Sequence, residues 1–157
     1  MPKPLENFND AMKFAMKLIG LRRRSEAEIR ARLQKRGADE DLESQVIEEL
    51  YHFRYLDDES FAESYINDRI RFKPSGSIAL RIELRKKGIR QDIIDAKMEE
   101  LFDAKKELET AQSLAKKKLK TIKTEDKKKL QAKMIFYLKS RGFSSQIIDQ
   151  ALKSTLE

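Results

Sequence analysis

A chain of 157 residues with no cysteine and a single histidine, His52, excludes disulfides, thiolate chemistry and a histidine-built metal site or catalytic triad. Charged residues equal apolar ones at 39% each, and five glycines and three prolines leave few turns; that balance points to long helices with much exposed surface. No apolar run approaches the roughly 18 residues that cross a bilayer, and Lys3 with Glu6 and Asp10 replaces a secretory core, so the expectation is a soluble cytoplasmic protein without membrane contact.

The net charge of +7 is unevenly spread. Residues 1–55 hold 11 basic and 10 acidic side chains, residues 56–102 hold 9 and 10, and residues 103–157 hold 14 and 7. The excess sits in the last third. It suits a polyanion or an acidic protein surface as partner, and it also suits mere solubility.

In chain order, a first helix is expected from Asn9 or Asp10 to about Arg22, with Phe14, Ala15, Leu18 and Ile19 as its apolar stripe. Ser25 and Glu28 read as a capping box for a second helix that presents Ile29 and Leu33 and stops at Gly37. Asp39-Glu40-Asp41 opens a third, which should bury Val46, Ile47, Leu50 and Phe53. After Tyr55-Leu56, Asp57 or Asp58 caps a fourth helix with Phe61, Ala62, Tyr65, Ile66 and Arg69 on one face. Residues 78–85 alternate apolar and polar, a strand period. No second candidate strand exists to pair with them, so helix is the better reading. Beyond Leu101 the helical pattern barely breaks before Leu119, lysines flank a loop at 121–125, and a last helix covers about Ser145 to Leu156.

The pattern recurs. Leu33 precedes Gly37 by four residues, as Leu84 precedes Gly88 and Leu138 precedes Gly142. Ile29, Leu80 and Met134 correspond upstream; Val46, Ile94 and Ile148 correspond downstream. Three units are expected, 9–55, 56–102 and 103–157, each of three helices. The fold class is all-α, an elongated, curved array of tandem repeats in which each small unit gains by docking on its neighbour.

Arg24-Ser25-Glu26-Ala27-Glu28-Ile29, Tyr55-Leu56-Asp57-Asp58 with Phe61-Ala62 and Tyr65, and Gly76 leading to Glu83-Leu84-Arg85-Lys86-Lys87-Gly88-Ile89 resemble the RecX family, regulators of bacterial RecA recombinase. Leu138-Lys139-Ser140-Arg141-Gly142-Phe143 with Ile147-Ile148 resembles that family's last repeat. Two departures stand out: Arg54 where the family has a glycine, and a longer acidic loop at 38–44. The resemblance implies three three-helix repeats, no enzymatic activity and no cofactor. It implies RecA, chiefly as filament on DNA, as partner of a monomer that limits filament extension, with weak DNA binding in some members.

The residues themselves carry little chemistry. Adjacent Asp57 and Asp58 at a helix start are caps rather than a catalytic pair, and Pro74-Ser75-Gly76 lacks the strand and glycines of a phosphate loop. The candidate partner-binding set is basic: Arg22, Arg23, Arg24, Arg30 and Arg36; Arg69, Arg71, Lys73, Arg81, Arg85 and Lys86; Lys116, Lys117, Lys120 and Lys123. If the units superpose, these line corresponding edges, where arginine suits carboxylate or phosphate. Two other classes remain open: helix-turn-helix-like units binding DNA directly, and a helical scaffold for another partner.

Overall fold

The computed structural model describes residues 1–156. Among them are nine helices and no strand. The first unit holds α1 (Phe8–Leu21), α2 (Glu26–Lys35) and α3 (Glu40–His52). The second holds α4 (Asp58–Phe72), α5 (Ser77–Lys86) and α6 (Gln91–Leu101), the third α7 (Ala104–Leu119), α8 (Lys127–Ser140) and α9 (Ser145–Leu156). Each unit closes around its own core, and the most extensive helix contacts all lie within one unit.

Local chemistry sets most ends. Asn7, Ser25, Asp39, Asp57, Asp103 and Asp126 cap their helices through side-chain oxygens, and Ser25 with Glu28 completes a capping box. Gly37, Gly88 and Gly142, after the second helix of each unit, take φ of 90°, 80° and 86°. Arg54 takes φ of 60°, so an arginine makes the left-handed turn without a glycine.

The alternating stretch at 78–85 is helical, as part of α5. Leu80 and Leu84 are fully buried four residues apart, while Ile78 and Ile82 remain 46% and 42% exposed. Two apolar pairs on opposite sides of a helix mimic a strand's period. Phe53 departs from expectation. It follows the end of α3, is 55% exposed, and lies edge-to-face against His52 and tilted beside Tyr55 instead of entering the core. The acidic stretch expected as a loop at 38–44 is largely helix, because Asp39 caps α3 and the acids at 40, 41 and 43 suit its positive first turn.

Neighbouring units join end to end through their second helices. Ser25 Oγ at the start of α2 donates to the Lys87 carbonyl at the end of α5 (2.6 Å), and the Glu26 N–H donates to Asp58 Oδ1 (2.9 Å). The next junction repeats this. The Gly76 N–H at the start of α5 donates to the Arg141 carbonyl after α8 (2.8 Å), and the Ser77 N–H donates to Glu107 Oε1 (2.9 Å). Each junction thus sets a donor at the start of one second helix, a hydroxyl at Ser25 and an N–H at Gly76, on a carbonyl ending the next, and satisfies an orphan N–H with a carboxylate from the following unit. Gly76 has ordinary φ but no room for a side chain, since a Cβ would overlap the Gly142 carbonyl.

At the end of α2 the N-terminal arm occupies the position that the start of α5 occupies at the end of α8. The Leu5 N–H donates to the Arg36 carbonyl (2.8 Å) and Arg36 Nη2 donates to the Lys3 carbonyl (3.1 Å). Arg141 makes the same pair of bonds with Gly76 and Pro74. Leu5 is buried in the first core. Residues 3–5 therefore imitate the segment that enters a second helix, and they close one end of the array as a capping repeat does.

Candidate partner-binding surface

The fifteen basic residues singled out by sequence divide into two groups. In the first two units many are consumed by the fold. Arg22 pairs with Glu28, and Arg30 holds Glu26 (3.1 Å) and the buried Glu43 (2.8 Å). Arg69 grips both oxygens of Glu83 (2.7 and 3.0 Å) and the buried Ser75 hydroxyl (3.0 Å). Arg81 pairs with Asp95, Arg85 donates to Gln91 (3.2 Å), and Arg36 lies 4.7 Å from the centre of the Phe14 ring. Arg24 is half-buried, its Nε without a hydrogen-bond partner, and burial followed by the neighbouring Arg22 charge lowers its pKa.

The second group is exposed and makes no ion pair among the described residues: Arg23, Arg71, Lys73, Lys86, Lys116, Lys117, Lys120 and Lys123. Arg71 rests 5.1 Å from the Phe72 ring centre. Arg22 and Arg23 meet Tyr65, Asp68 and Lys87 of the second unit across a shallow cleft. The four lysines belong to the unit that holds the charge excess.

Where carboxylates are committed, their protonation follows. Burial works against the Glu28 anion, yet hydrogen bonds from Arg22 and the Ser25 N–H outweigh it and hold its carboxyl below the usual range. The N–H of Ser60 leads the contacts that lower Asp57. Asp58 is raised, mainly by burial, because it reaches into the junction toward Glu26. Asp58 therefore serves the neighbouring helix α2, while Asp57 caps its own helix α4. No described group of acidic or histidine side chains is arranged to hold a metal ion.

Sequence reasoning passed over the junction residues Lys87, Glu107 and Arg141 and the arm at 3–5. Their signal was faint: a glycine and a serine at equivalent helix starts, and a basic residue before each glycine stop. It also passed over a groove of about 710 Å³ between the end of α7 and the outer face of α8, lined by Lys118, Ile122, Lys123, Lys133, Phe136 and Tyr137 among others. No described helix is long and apolar enough to cross a membrane.

Comparison with known proteins agrees with this architecture unit by unit. Residues 11–50, 57–98 and 105–152 match the models of the first, second and third three-helix domains of RecX. The chain is 37% identical over 147 residues to the regulatory protein RecX of Prosthecochloris aestuarii, covering 93% of each, and 36% identical to that of Pelodictyon phaeoclathratiforme, covering 94% of this chain and 89% of the relative. The crystal structure of RecX from Lactobacillus salivarius superposes with a TM-score of 0.86 over 94% of this chain and 96% of that one, at 24% identity. With three serial units, equivalent junctions and relatives alike along nearly their whole length, the chain belongs to the RecX family of regulatory proteins.

Proposed function

We propose that this chain is a negative regulator of RecA. It binds in the groove of the RecA filament on DNA, limits filament extension and promotes disassembly, and so lowers RecA ATP hydrolysis and strand exchange during repair and recombination. The observation that carries this reading is the serial joining of three like units through like contacts, in a chain whose relatives are named as regulators. A repeated surface suits a polymer of repeated subunits. Its exposed cations, Arg23, Arg71, Lys73, Lys86, Lys116, Lys117, Lys120 and Lys123, contribute on the order of 0.2–1 kcal/mol each as rim contacts. Useful affinity then comes from spanning several filament subunits, and it weakens with salt.

The deciding measurement is RecA ATP hydrolysis on single-stranded DNA, titrated with this protein as a cytoplasmic monomer would meet it. Turnover should fall well below one protein per RecA, as expected for arrested extension. An unchanged rate at equimolar protein would end this reading. Direct helix-turn-helix readout of duplex DNA is less well supported. Such readout uses the N-terminal residues of the recognition helix, and where the basic second helix is taken as the reader, those residues in α2 and α5 are already bonded to the next unit. Tight duplex binding in a gel shift without RecA would favour it instead.

A further inference from the structure

The outer face of α8 carries a side chain that the repeat does not require. Phe136 lies two residues from both Met134 and Leu138, which are fully buried. At about 100° per residue it points about 200° away from them, and it is 76% exposed. The equivalent residue, two before the leucine that precedes each glycine stop, is Ala31 in the first unit and Ile82 in the second. Alanine suffices there, so packing does not explain an exposed phenylalanine.

Its surroundings are specific. Phe136 borders the groove between α7 and α8, whose apolar part is Ile122, Ala132 and Tyr137. Lys118, Lys123 and Lys133 edge it, and none of the three makes an ion pair among the described residues. The unit around it holds 14 basic and 7 acidic residues. At about 710 Å³ the groove falls in the range of ligand-sized clefts, roughly 300–1,000 Å³. An exposed aromatic set among free cations matches the composition of an interaction hot spot with a charged rim.

We infer that this groove is a docking site for an acidic peptide segment that presents apolar side chains to Phe136 and Ile122 and carboxylates to Lys118, Lys123 and Lys133. Charge complementarity fixes the sign of the occupant, and the aliphatic floor fixes its apolar part. A single nucleic-acid strand fits less well. Such strands stack successive bases on several open rings, whereas here Phe136 alone is open and Lys118 sits 5.0 Å over the Tyr137 ring. No arginine, the fork best shaped for phosphate, lines the groove. The inference goes beyond the RecA reading and is tested without RecA.

The test is fluorescence anisotropy of the full chain with three fluorescein-labelled probes: a glutamate-rich helical peptide with leucines spaced four apart, the same peptide with serine for leucine, and an oligo-dT of equal length. The leucine peptide should bind at about 0.15 M salt and weaken as salt rises. The serine peptide should bind roughly tenfold more weakly or worse, and Phe136→Ser should weaken the leucine peptide as much, with an unchanged thermal midpoint. Lys123→Glu with Lys133→Glu should do the same through charge. Absence of peptide binding, binding indifferent to Phe136→Ser, or tighter oligo-dT binding that needs Phe136 would each overturn the assignment.

Discussion

The first two units and the third use their basic residues differently. In the first two, Arg22, Arg30, Arg69 and Arg81 are tied to carboxylates of their own unit, and Arg69 also holds Ser75 next to the junction. In the third, Lys116, Lys117, Lys118, Lys120, Lys123 and Lys133 make no ion pair among the described residues. The chemistry of the side chains fits the division. A planar guanidinium makes several directed bonds inside a fold, whereas an ammonium on a long stem stays hydrated and mobile. A count of charges along the chain therefore measures two different things. In the first two units much of it measures internal bracing, with Arg23, Arg71, Lys73 and Lys86 left unpaired among the described residues; in the third it measures chiefly what a partner meets.

Four changes test that division. The largest effect is expected at Arg69. Its replacement by alanine leaves Glu83 only the Tyr65 hydroxyl and Ser75 only the Lys73 carbonyl, and a cost of about 2–3 kcal/mol follows from the lost charge-assisted bonds. Denaturant unfolding that left stability unchanged would put Arg69 with the free cations and dissolve the contrast.

Removal of residues 1–6 comes next. It exposes the seat on Arg36 and Gly37 and withdraws the buried Leu5, a loss of about 1.5–3 kcal/mol for a full leucine. Amide exchange should rise in α2 and α3 while α8 and α9 keep their protection. Uniform loosening along the chain would mean that the units do not behave as separate bodies.

Asp57→Ala should cost about 1 kcal/mol as a lost helix cap, and Asp57→Asn much less. The pH dependence has a defined sign. Folding lowers the Asp57 pKa, so its contribution is present above the ordinary carboxylate pKa of about 4 and is lost as pH falls through the lower folded value. Asp57→Asn should flatten that part of the acid-stability curve. A curve identical to that of the parent would assign the acid sensitivity to other carboxyls.

The smallest effect on stability belongs to the lysines. Lys116→Glu with Lys120→Glu should stay within about 0.5 kcal/mol of the parent, as surface changes do. The same pair should raise the concentration needed to halve RecA ATP hydrolysis and make that inhibition less salt-dependent. Equal loss of stability and inhibition would place these lysines with the arginines.

Much of the architecture was legible because its signals are local. Ser25 with Glu28, the glycines four residues after Leu33, Leu84 and Leu138, and the apolar pairs at helical spacing all act within one or two turns. The candidate surface was legible only in part. Arg30 and Glu43, or Arg69 and Glu83, stand 13 and 14 residues apart on different helices, and no local pattern says that they meet. Phe53 misled for a related reason. It continues the apolar spacing of α3, but the helix ends before it and turns it to solvent beside His52 and Tyr55.

The order of residues alone determined that this protein is helical, that it repeats three times, and where each second helix stops, since caps, glycines and apolar spacing are decided by neighbours along the chain. Only the tertiary structure decided which cations are spent as braces, how Lys87 and Arg141 offer carbonyls to the preceding helices, and that residues 3–5 bond to the end of α2 as 74–76 bond to the end of α8. Those contacts join segments distant in sequence, and their geometry exists only after each unit has closed around its core.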